Sequence, residues 1–119
     1  MADVQCRWGE IYYADLSPVV GHEQGGRRPV LIIQNDIGNR YSSVTIVAPL
    51  TTSFTDKVYP TEVRVKAGAA GLAHDSSALL NQIKTIDKAR LERLAGRLDP
   101  ASMRRVDLAI KISLGLEVL

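Results

Sequence analysis

A chain of 119 residues, 45% apolar, 24% charged and with a net charge of +2, has the size and composition of one small globular domain with its own core. A single cysteine, Cys6, excludes an intrachain disulfide and a cysteine-based zinc site, and no apolar run approaches the ~18 residues needed to span a bilayer. The pI near 8.9 permits nucleic-acid binding without requiring it. The opening MADVQCRWGE lacks a basic stretch followed by an apolar one, so a signal peptide is not expected and a reducing cytoplasm is the expected compartment.

Residues 9–15 mix Ile and Tyr with polar residues, as an edge or half-buried strand does. Residues 16–27 contain Pro18, Gly21, Gly25 and Gly26 and form a long loop, of a length that is usually functional or disordered. The run PVLIIQ (29–34) predicts a fully buried strand that Pro29 can only start. Residues 35–43 read as a turn-rich connection. VTIVAPLT (44–51) is the next strand, with Pro49 pointing to an edge or a bulge. TEVRVK (61–66) alternates as a strand with one solvated face, and 67–75 is a small-residue loop.

Residues 77–86 predict one or two strands broken near Gln82. Asp87 is the expected N-cap of a short helix over 88–95, closed by Gly96. Asp99 and Pro100 then open the clearest helix, with Met103, Val106, Ile110 and Leu114 on one face and Leu108, Ile112 and Leu116 widening the stripe. Such a helix packs on a sheet and offers apolar surface for pairing subunits. Five or more short strands with little helix between them suggest a small, partly open β-barrel plus helices.

Three places could carry chemistry. Arg28 sits between Gly25-Gly26 and Pro29, where a planar cation at a rigid strand start suits bidentate contact with phosphate. The competing account pairs it with Glu23 or Asp36, or leaves it solvating a strand end. Thr51 ends a strand, where its hydroxyl either donates to a phosphoryl oxygen or caps backbone groups. His22, in the Gly-rich loop, is a candidate general acid or base or a merely solvated side chain, whereas His74 is expected to be structural or exposed. The loop is not a P-loop, since no Gly-Lys-Ser/Thr follows, and no nucleophile elbow or three-ligand metal spacing is visible. Arg90, Arg93, Arg97, Arg104 and Arg105 are interleaved with acids on helices, which predicts a solvated face.

The ordered residues Arg7, Gly9-Glu10-Ile11-Tyr12, Asp15-Leu16, Pro18, Gly21-His22-Glu23-Gln24, Gly26, Arg28-Pro29-Val30, Asn35, Asn39-Arg40 and Gln82-Ile83-Lys84-Thr85-Ile86-Asp87 resemble the MazF/PemK family of toxin endoribonucleases over roughly residues 7–116. The resemblance implies one MazF-like toxin domain over residues 1–119, mainly β with helices: an SH3-like small β-barrel with a C-terminal helix, acting as a homodimer. It implies a cytoplasmic enzyme with no cofactor, metal or membrane, cutting single-stranded RNA and held by an acidic, MazE-like antitoxin. By the same resemblance, closest to the MazF branch, Arg28 and Thr51 are catalytic. His22, Glu23, Gln24, Asn81 and Gln82 contact RNA, the last two by hydrogen bonds to base edges, and the loop closes over the strand. The PemK branch uses an arginine and an aspartate where this chain has Leu79 and Asn81, so that arrangement is not available here.

Two rivals keep the fold. A CcdB-like gyrase poison carries a tryptophan near its C-terminus, whereas Trp8 is the only one here and the chain ends LGLEVL. The other is a barrel that binds RNA or protein without cutting.

Overall fold

The run PVLI is continuous because its strand is covered on both sides. The computed structural model describes residues 5–118. Strand β1 (Glu10–Asp15) and β2 (Arg27–Ile32) are antiparallel neighbours, and β2 then pairs with β3 (Val44–Thr51). Leu31 points into one core layer with Ile11, Ala48 and Leu50, and Val30 and Ile32 into the other with Tyr12, Ala14, Val47 and Leu16. Two-faced burial removes the need for polar alternation.

The remaining strands are β4 (Glu62–Val65), β5 (Ser76–Leu79), β6 (Lys84–Asp87) and β7 (Leu91–Arg97), giving the order β4-β5-β3-β2-β1-β7 with β6 also on β3. A short helix α1 (Asp36–Tyr41) follows β2, and α2 (Pro100–Ser113) ends the fold. In α2, Met103, Val106 and Ala109 enter the first core layer, while Leu108 on the helix and Leu114 and Leu116 just beyond it stay exposed. Asp99 caps it as expected, accepting from Ser102 N.

Several expectations change. Residues 35–43 are not only turns: Asn35 accepts from Gly38 N and caps α1. The helix expected over 88–95 is a 3-10 turn at Lys88–Arg90, capped by Asp87, and then strand β7. Pairing with β1 outweighs the local helical preference of that segment. β2 starts at Arg27 rather than at Pro29, which is tolerated because only β1 pairs there; β3 joins from Val30. Pro49 lies in a central strand, not at an edge. It falls where β3 changes partner, between β6, which ends at Val47, and β5, which begins at Leu50. The break at Gln82 separates β5 from β6 as expected.

The sheet curls without closing, so "barrel" describes its curvature only. No ladder joins β4 to β7 among the described residues. Instead the 3-10 turn Ala69–Gly71 seats its backbone on β7. A Cβ on Gly71 would stand 2.0 Å from the Ala95 carbonyl oxygen, and one on Gly96 2.3 Å from that of Ala70. Gly71 also has φ +75°, so a side chain there is excluded twice.

A buried polar knot ties α1 to the sheet. Asn39 Nδ2 donates to the Gln34 carbonyl (2.9 Å) and its Oδ1 accepts from Gln34 Nε2 (3.1 Å) and Thr45 Oγ1 (2.7 Å). Lys88, buried without a carboxylate partner among the described residues, donates its Nζ to the Asn39 carbonyl. Asn39→Ala takes a partner from the buried Thr45 hydroxyl and from the half-buried Gln34 carbonyl, and urea unfolding should show a loss of about 2 kcal/mol. A loss within error of zero would mean that the knot contributes nothing net.

Candidate functional site

The loop between β1 and β2 is held at its stem and at its tip. Leu16 N donates to the Gly26 carbonyl (3.0 Å) and Gly26 N to Ser17 Oγ (3.0 Å). Arg90 braces the stem by donating to the carbonyls of Asp15 (3.0 Å) and Ser17 (2.7 Å). Of the glycine pair, Gly26 takes the left-handed conformation, φ +72°, and turns the chain into β2. At the tip, Gln24 N donates to Gln82 Oε1 (2.9 Å), latching the loop to the β5–β6 turn.

That latch closes one wall of a cleft of about 450 Å³ lined by His22, Glu23, Gln24, Pro49, Asn81, Gln82, Ile83 and Lys84. All five residues expected to contact RNA therefore meet in one cleft. Lys84 adds a cation that had no expected role in the cleft. Its signal is its place two residues after Gln82, at the start of β6. His22 and His74 are both exposed, and His74 lies outside this cleft.

Arg28 and Thr51 stand beside it. The β2–β3 ladder ends at Val30–Pro49, and beyond it Arg28 reaches β3 at Leu50, the residue before Thr51. The Arg28 guanidinium donates through Nε to the Gly25 carbonyl (2.7 Å) and through Nη1 to the Leu50 carbonyl (3.3 Å). It pairs with neither expected carboxylate. Glu23 Oε1 accepts from Val20 N, and Asp36 Oδ1 from Trp8 N. Partial burial lowers the Arg28 pKa from its ordinary value, yet an arginine remains a cation at neutral pH.

Thr51 does cap backbone, since its Oγ1 accepts from Ser53 N (3.0 Å). A hydroxyl also carries a proton to donate, and among the described residues that proton has no acceptor. The site thus offers a half-buried cation with neutral partners, a hydroxyl donor on the residue after the one whose carbonyl holds that cation, and a cleft of about 450 Å³.

The other arginines are spread over strand and helix rather than on helices alone. Arg90 braces the loop and Arg93 stacks on Tyr13 at 4.0 Å, while Arg104 and Arg105 lie on α2. A larger groove, about 570 Å³, carries Arg64, Lys66, Arg97 and Arg105, and none of the candidate site residues line it. Among the described residues, no three His, Cys, Asp or Glu side chains gather to hold a metal ion, and no helix is long and apolar enough to cross a membrane.

Comparison with known proteins gives a consistent answer. Residues 7–114 match the family model described as the PemK-like, MazF-like toxin of type II toxin-antitoxin systems. Endoribonuclease EndoA of Bacillus subtilis is 54% identical over 108 residues, covering 91% of this chain and 93% of that protein. Endoribonuclease MazF of Staphylococcus saprophyticus is 49% identical over 113 residues, covering 95% and 94%. Among solved structures, MazF from Deinococcus radiodurans superposes with a TM-score of 0.81 at 25% identity, over 95% of this chain and 99% of that one. A mycobacterial endoribonuclease in complex with its cognate antitoxin does so at 0.78 and 25%, over 96% and 99%. A match of this length, order and depth means that the chain belongs to the PemK-like, MazF-like family of type II toxins.

Proposed function

We propose that this protein is the toxin of a type II toxin–antitoxin pair and a metal-independent, sequence-specific endoribonuclease that cuts single-stranded RNA, chiefly mRNA, and so stops translation and growth. The observation that carries the reading is the Arg28 cation, held by two carbonyl oxygens and no carboxylate, next to Thr51 and a cleft of base-reading size. The endoribonuclease names of its relatives agree with it.

RNA brings its own nucleophile, so an enzyme need only align attack and stabilise charge. The 2′-oxygen loses its proton and bonds to phosphorus, the bond to the 5′-oxygen breaks, and that oxygen takes up a proton. A 2′,3′-cyclic phosphate and a 5′-hydroxyl result. Arg28 stabilises the charge on the phosphorane and Thr51 donates to a non-bridging oxygen. Arginine holds its proton too firmly to be the base; His22 and Glu23 are the candidates in the cleft. Asn81 and Gln82 read base edges.

The antitoxin of this reading is an extended acidic segment that competes with RNA for the cleft and is disordered when free. Leu108, Leu114 and Leu116, exposed on and just beyond α2, suit the homodimer expected of the family, acting in the cytoplasm.

Purified protein incubated with a long single-stranded RNA in EDTA should cut at a short recurrent motif and leave cyclic-phosphate ends. Arg28→Ala and Thr51→Ala should each lower cleavage by about 10²-fold or more while remaining folded. An active Arg28→Ala enzyme would remove the assignment. Absence of cleavage by the folded wild type would turn the reading to a gyrase poison or a binding module. Asn81→Ala should redistribute the cut sites more than it slows turnover at a good one, and an unchanged cleavage profile would exclude it from base reading. Gln82→Ala should free the loop tip, read as faster amide exchange at Gln24 with little change in Tm; unchanged exchange would show that the latch is not what holds the loop.

A further inference from the structure

Thr51 lies in a row that crosses the sheet. It pairs with Ser77 of β5, and Ser77 pairs with Arg64 of β4. Residues directly opposite one another in antiparallel strands project to the same face, so the three side chains stand side by side on the face that also carries Pro49. Arg64 uses that place fully. Its Nη1 donates to Ser77 Oγ (2.6 Å) and Glu62 Oε2 (2.6 Å), and Ser77 Oγ donates to the same carboxylate oxygen (2.9 Å).

The second arm of Arg64 reaches the segment that leaves Thr51. Its Nη2 donates to the carbonyls of Thr55 (2.6 Å) and Lys57 (3.0 Å), and the guanidinium covers the Phe54 ring at 4.2 Å. Residues 52–60 are exposed throughout. A segment with so little burial has few means of its own to keep one path. Thr51 Oγ1 is bonded to Ser53 N within that segment, so the path of residues 52–57 sets the direction of the hydroxyl.

We infer that Arg64 is a positioning residue for Thr51: it clamps residues 54–57 against the sheet and thereby aims the hydroxyl that donates to the phosphoryl oxygen. This rests on the ribonuclease reading above and adds to it a residue with no part in the cleft. Misplacement of a donor by a fraction of an ångström costs rate rather than binding, because the donor acts chiefly on the transition state. Only a planar fork serves both arms. A lysine can keep the Glu62 ion pair but cannot also hold two carbonyls and cover the ring.

The test compares wild type, Arg64→Ala and Arg64→Lys by steady-state cleavage of one RNA over a range of concentrations and by amide exchange at Ser53, with Gly26 as the internal control. Both variants should expose the Ser53 amide while leaving Gly26 unchanged. Both should lose about 10-fold or more in kcat, with KM within about twofold. Should Arg64→Ala fail to fold, Arg64→Lys, which retains the ion pair, decides. A purely structural role predicts a lower Tm, normal kcat and an unchanged Ser53. Unchanged Ser53 exchange overturns the clamp; exposed Ser53 with normal kcat overturns the positioning role while the ribonuclease reading stands. A wild type that cuts nothing overturns that reading and the positioning role together, and Ser53 exchange still reports on the clamp.

Discussion

The functional geometry of this molecule depends on strand β3 changing partner at Pro49. One side of β3 is paired with β6 over Val44–Val47 and with β5 from Leu50. Between the two ladders the chain has no partner on that side, and a residue without an N–H is well placed there. The same discontinuity obliges β5 to leave the sheet and return as β6, so the β5–β6 turn projects beside Pro49. Asn81 and Gln82 reach the cleft because they occupy that turn, and Gln82 latches the opposite loop from it. A β3 with one uninterrupted partner would have neither turn nor cleft.

Charge is placed by the same logic of partners. Three arginines lie within this half of the sheet, and two of them are neutralised. Arg27 pairs with Glu92 at 2.9 Å, and Arg64 pairs with Glu62 at 2.6 Å. Glu92 raises the pKa of Arg27, whereas burial lowers that of Arg28, whose described partners are carbonyl oxygens. Carbonyls fix the direction of a guanidinium without cancelling its charge, so any approaching anion meets a full cation. A carboxylate in their place would have to be displaced first.

What was legible in the sequence followed from local chemistry. The PVLI run, the VTIVAPLT strand, the Asp87 cap and the Asp99–Pro100 helix start each carry their signal within a few residues. The candidate site was legible through an ordered motif, and its members do converge from the β1–β2 loop and the β5–β6 turn. What failed depended on distant partners. Residues 91–97 contain leucine, arginine and alanine and favour helix in isolation; only the open edge of β1 makes them a strand. The short α1 rests on the Asn39 knot with Gln34, Thr45 and Lys88, which no window of sequence reveals. Arg64 looked like the solvated position of an alternating strand, and its meaning comes from register with Ser77 and Thr51.

The residues that hold the fold together are separate from those that line the cleft. Stability resides in the two core layers and the buried knot, to which His22, Glu23, Gln24, Asn81 and Lys84 contribute no core contact. These positions lie in turns or at a strand start, where side chains can change without opening a cavity. Arg28 and Thr51 differ, because each is tied to a paired strand: Arg28 is bonded to the Leu50 carbonyl of β3, and Thr51 ends β3 itself, opposite Ser77 of β5. Substitution in the cleft therefore leaves Arg28 and Thr51 in their relation to β2 and β3. Arg28 and Thr51 are tied to the sheet and the cleft lining to its turns, so the two can vary separately.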